Sequence, residues 1–109
     1  MKKWLVLVAV LLLALVPLLS AGKGDPAAGK AVYAKKCGAC HGPAGEPKEA
    51  IAKMFKVEMR HLGAKEVQAK TDDELKKLVT EGIGKMKPIK DIPAGDLDNL
   101  IAFMRTLKK

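Results

Sequence analysis

Cys37-Gly38-Ala39-Cys40-His41 sets two thiols three positions apart and an imidazole directly after the second. That spacing is a c-type haem attachment signal. Each thiol can form a thioether to a haem vinyl group, and His41 then lies where an imidazole nitrogen can ligate the iron. The chain has no other cysteine. Three rival readings use the same thiols, one of them a strained local disulfide. A thioredoxin-like redox couple wants a strand-helix-strand context, and no strand pattern surrounds the motif. A zinc site wants further Cys or His ligands at short spacing, and the only other histidine, His61, lies twenty positions after His41.

An iron held by His41 has a second face. Met54, Met59, Met86, Met104 and His61 are the side chains that could occupy it. Met54, Met59 and Met104 fall on helical apolar stripes and read as core. Met86 stands in Gly82-Ile83-Gly84-Lys85-Met86-Lys87-Pro88, between two helices and without a helical core role. Its thioether is a soft ligand that suits reduced iron, and Met86 is the expected distal ligand. His61 reads as a surface histidine at a helix end.

The elements that must position these groups are helical. Asp25-Pro26 is a helix start, with Asp as N-cap and Pro at the first helical position, and the helix runs to Lys36. A Gly- and Pro-rich loop follows the motif from Gly42 to Pro47. Ala50, Ile51, Met54, Phe55, Met59 and Leu62 recur at three- and four-residue steps and predict a helix from Glu49 to Leu62. Thr71 and Glu74 form a capping box ahead of Leu75, Leu78 and Val79. A last helix is expected from Ala94 to Leu107, with Leu97, Leu100, Ile101, Met104 and Leu107 on one stripe. No alternating strand pattern and no repeat occurs, so the domain reads as all-α.

Lys2-Lys3, the uncharged run Trp4–Leu19 and the small residues Ser20-Ala21-Gly22 read as a secretory signal peptide over residues 1–22. An uncleaved anchor is the alternative, although the run is shorter than the ~20 residues that span a bilayer comfortably. Export places the thiols in an oxidising compartment, the periplasm in a bacterium. Residues 23–109 then form one domain, small enough that a buried cofactor would help staple it. The chain carries a net +8, and its lysines number eighteen against two arginines. Nucleic-acid readers favour arginine forks and aromatic stacking. A lysine-rich rim instead fits redox protein partners with acidic docking surfaces.

These residues resemble a small class I cytochrome c of the bacterial monohaem type over nearly all of 23–109. Gly29 and Tyr33 are similar to the family's Gly-x-x-x-aromatic pair in the first helix, where the glycine lets the first and last helices cross closely. Phe103 is similar to its aromatic counterpart in the last helix, and Gly84-Lys85-Met86 to the distal methionine loop. The resemblance implies about four helices packed around one covalent haem c with His/Met ligation, and one-electron transfer rather than catalysis. A haem enzyme or gas sensor with an open sixth position is the alternative, and a membrane-tethered haem domain of a larger oxidase is another. The chain departs from the family in placing Lys87 between Met86 and Pro88. The family also sets a proline carbonyl against the proximal histidine's second nitrogen, and both Pro43 and Pro47 are available for that.

Overall fold

The computed structural model describes residues 24–109, and the predicted signal segment lies outside them. Five helices follow in order: α1 (Pro26–Lys36), α2 (Glu49–Phe55), α3 (Lys65–Gln68), α4 (Asp72–Glu81) and α5 (Ala94–Thr106). The fold is all-α. Among the described residues the only β pairings are the isolated bridges His41–Pro47 and Ile83–Met86, and no helix is long and apolar enough to cross a membrane.

The local signals for α1, α4 and α5 are realised. The Asp25 side chain accepts from the Ala27 N–H at 3.0 Å, and Pro26 opens α1 where its missing N–H costs nothing. The capping box closes α4 from both sides: Thr71 Oγ1 accepts from the Glu74 N–H at 3.1 Å, and Glu74 Oε1 accepts from the Thr71 N–H at 3.0 Å. α5 ends one residue short of the expected Leu107, which is its C-cap.

The core forms where α1, α4 and α5 meet. Tyr33, Leu75, Val79, Leu100, Ile101, Phe103 and Met104 are buried there, with Val67 of α3 at its edge. α1 and α5 cross at Gly29, against the Asn99 backbone and Phe103. One helical turn on, the rings of Tyr33 and Phe103 pack with centroids 5.1 Å apart and a 51° tilt, a geometry favoured by aromatic quadrupoles. The Asp25 N–H also donates to Asn99 Oδ1 at 2.8 Å, tying the start of α1 to α5.

The second predicted helix is shorter than its periodicity. It stops at Phe55, where Lys56 adopts a left-handed conformation at φ 54°. The Lys56 N–H returns to Lys53 O and the Val57 N–H to Ala52 O, the paired bonds of a Schellman cap. The apolar stripe finds no partner to extend against: α2 has no buried residue, Met54 is 64% exposed and Met59 only half-buried. Met54 and Met59 are therefore not core residues, contrary to the sequence expectation, whereas Met104 is buried as expected. α3 is a further short helix that the sequence did not announce. It is held by Arg105, whose guanidinium donates to Gln68 O at 2.9 Å, Lys70 O at 2.7 Å and Asp72 Oδ1 at 2.7 Å.

Candidate functional site

The thiol motif starts at the C-cap of α1. The Cys37 N–H closes the helix on Tyr33 O at 2.8 Å, and the Cys40 and His41 N–H groups both return to Cys37 O, at 3.2 and 2.9 Å. One tight turn thus carries both half-buried thiols and the imidazole. Several contacts hold the turn. The buried Tyr33 hydroxyl donates to Gly42 O at 2.6 Å. The Lys48 ammonium donates to Gly38 O between the two cysteines. The Gly42 N–H donates to Glu46 O at 2.7 Å, and the Lys48 N–H to Cys40 O at 3.2 Å. None of the local sequence cues marked Tyr33, Lys48 or Glu46 for these contacts, which depend on how the loop folds back.

Burial, and then the neighbouring Cys40, push the Cys37 thiol up to about 11. A reactive dithiol couple works through a depressed thiol pKa, so the environment of Cys37 runs against the thioredoxin-like reading. Burial also lowers the His41 pKa and keeps its imidazole neutral near pH 7, the state a metal ligand needs. His41 Nδ1 is buried and has no hydrogen-bond partner among the described residues. Neither the Pro43 nor the Pro47 carbonyl receives it, although His41 and Pro47 form an isolated backbone bridge. A cleft of about 180 Å³ lies beside the turn, lined by Tyr33, Ala34, Gly38, His41, Pro43 and Phe103. Two thiols and a neutral imidazole on one turn are the donor set a covalent haem requires, and the residues present fit that group. Among the described residues no three His, Cys, Asp or Glu side chains converge to complete a zinc site.

Met86 closes a turn of its own. The Ile83 N–H donates to Met86 O at 3.1 Å and the Met86 N–H to Ile83 O at 2.9 Å. Gly84 sits at the first central position with φ 56°, the requirement of a type II′ turn. Met86 is half-buried between the exposed Lys85 and Lys87, and Ile83 is 60% exposed. After the turn, the Ile89 N–H donates to Val79 O at 2.9 Å, and Ile89 and Ile92 pack on the core. His61 lies beyond the end of α2 rather than at a helix end. It is half-buried, and its Nδ1 accepts from the Gly63 N–H at 2.9 Å.

Residues 24–104 match the family model described as cytochrome C oxidase, cbb3-type, subunit III. Comparison with curated proteins finds no match.

Proposed function

The chain belongs to this family, a class I monohaem c-type cytochrome domain, and from that premise we propose that it is an exported one-electron carrier with His/Met ligation. The observation that carries the reading is the single turn holding Cys37, Cys40 and His41, with the imidazole neutral and its Nδ1 buried. Cys37 and Cys40 would hold one haem c through two thioethers, with His41 as proximal ligand and Met86 as distal ligand. Haem, when bound, supplies reversible one-electron chemistry between ferric and ferrous iron. With His41 and Met86 both given to the iron, no coordination site would remain for a substrate, which separates a carrier from an enzyme. A thioether from Met86 paired with the His41 imidazole would raise the potential.

Residues 1–22 direct export to the periplasm in this reading, and residues 23–109 form the mature domain. The lysine excess, with Lys85 and Lys87 beside Met86, steers redox protein partners that present acidic surfaces. Electron transfer to such a partner should slow as ionic strength rises. The experiment that tests the whole reading is the absorption spectrum of purified protein, oxidised and reduced, with carbon monoxide added to the reduced form. A low-spin spectrum indifferent to carbon monoxide supports the carrier. A high-spin or carbon monoxide-binding ferrous form supports the haem enzyme or gas sensor instead.

The family's description as an oxidase subunit favours one second reading, a haem domain tethered through an uncleaved Trp4–Leu19 segment to a larger oxidase. N-terminal sequencing of the mature protein, with its partition between membrane and soluble fractions, separates the two.

A further inference from the structure

Among the described residues, the 82–93 segment that carries Met86 has few attachments to the helices. Gly82 continues α4 through its N–H to Leu78 O at 2.9 Å, and the Ile89 N–H donates to Val79 O at 2.9 Å. Between those two points the Ile83–Met86 turn bonds only to itself. The one side-chain hydrogen bond that ties the segment to another element is Lys36 Nζ to Asp91 Oδ2, at 2.9 Å. Its ends stand at chemically significant places. Lys36 is the last residue of α1 and directly precedes Cys37. Asp91 lies five residues after Met86. The Lys36 side chain is 30% exposed and Asp91 80%, so the pair opens without breaking the core.

We propose that the Lys36–Asp91 ion pair is a latch that positions the Met86 segment against the thioether turn and sets how readily Met86 gives up the iron. The proposal rests on the reading of Met86 as distal ligand. Covalent attachment at Cys37 and Cys40 fixes the haem to the turn that follows Lys36. Displacing Met86 is easiest if its segment moves relative to that turn, and the pair ties the far end of the segment, just beyond the Ile89 anchor, to the residue that precedes the turn. Ile89 and Ile92 pack on the core and Asp91 lies between them, so the latch acts where the segment meets the core without burying a charge. Exposed pairs are individually weak, and the effect is correspondingly modest and salt-sensitive.

The test uses ferric holoprotein titrated with imidazole, an exogenous ligand that competes for the distal position. Lys36→Ala and Asp91→Ala should each bind imidazole about two- to five-fold more tightly than wild type, as loss of an exposed pair allows, with the Met-to-iron charge-transfer band intact before imidazole is added. Raising ionic strength should bring wild type toward the variants and leave the variants little changed. The exchanged pair Lys36→Asp, Asp91→Lys should recover wild-type imidazole affinity, which a general loss of stability would not do. Unchanged affinity in both single variants, or no recovery in the exchanged pair, overturns the latch. Met86→Ala is measured alongside: if its ferric spectrum keeps the charge-transfer band, the ligand reading itself has failed. If that band is lost in Met86→Ala while Lys36→Ala behaves as wild type, the latch alone has failed.

Discussion

Gly29 and Asn99 bring the backbones of α1 and α5 into contact: a Cβ built on Gly29 would overlap the Asn99 carbonyl oxygen and stand 2.9 Å from the Phe103 Cβ. The crossing sets the spacing of Tyr33 and Phe103 one turn on. Tyr33 in turn anchors the end of the Cys37–His41 turn through Gly42. Position 29 is thus coupled to the site through helix packing and the Tyr33 hydrogen bond. Gly29→Ala should destabilise the holoprotein by about 1–3 kcal/mol, the usual cost of overpacking, read as a lower guanidinium midpoint. An unchanged midpoint would mean that the helices can separate freely at this crossing.

Lys56 is the one described non-glycine residue with positive φ, and it caps α2. A lysine there carries the Cβ penalty of the left-handed region, and glycine at this cap position does not. Lys56→Gly should therefore raise stability by up to about 1 kcal/mol, offset in part by glycine's larger unfolded-state entropy. The haem spectrum should not change. A destabilised variant would show that the lysine side chain holds the cap by some other contact.

The sequence was legible where the signals are local. Asp25-Pro26 and the Thr71–Glu74 box fix helix starts through bonds between residues two and three apart, and the structure contains both. The attachment turn is contiguous in sequence for the same reason. The apolar stripe from Ala50 to Leu62 misled because periodicity records which face a helix could bury, not whether a neighbour exists to cover it. α2 lacks that neighbour, so it ended early and left Met54 outside. Arg105, Lys36 and Asp91 were illegible for a different reason. Arg105 reaches backbone carbonyls about 35 residues away, and Lys36 meets Asp91 across 55. No spacing rule encodes contacts of that kind.

Three of the four methionines of the described region separate into distinct outcomes. Met86→Ala should open the sixth position of the holoprotein, so that the ferrous form binds carbon monoxide and the potential falls with loss of the thioether. Met104→Ala should instead remove a buried side chain, at a cost of about 2–5 kcal/mol, and leave the spectrum as it was. Met54→Ala should stay within about 0.5 kcal/mol of wild type, because its side chain is already in solvent. Spectra and denaturant melts on the three variants check all of this together. Carbon monoxide binding by Met54→Ala, with Met86→Ala indifferent, would move the ligand to α2.

Tyr33 links stability to alkaline pH. Burial first, then the neighbouring Cys37 and Glu46, push its hydroxyl from the ordinary value of 10 up to about 12. Burial, the largest cause, persists when Cys37 is converted to a thioether, whereas the contribution of the Cys37 charge is removed. A raised folded-state pKa means that the native protein holds this proton more tightly than the unfolded chain. In the holoprotein the associated stability is fully present below pH 10 and is lost as pH rises above it. Tyr33→Phe removes both the titration and the 2.6 Å hydrogen bond to Gly42 O. That carbonyl still receives the Gly45 N–H at 3.0 Å, so the variant should lose only about 1 kcal/mol at neutral pH. Denaturant melts of the two holoproteins, compared from neutral pH upward, should therefore converge above pH 10. A stability gap that stays constant across the alkaline range would show that Tyr33 contributes through its hydrogen bond and packing alone, with no proton held preferentially by the folded state.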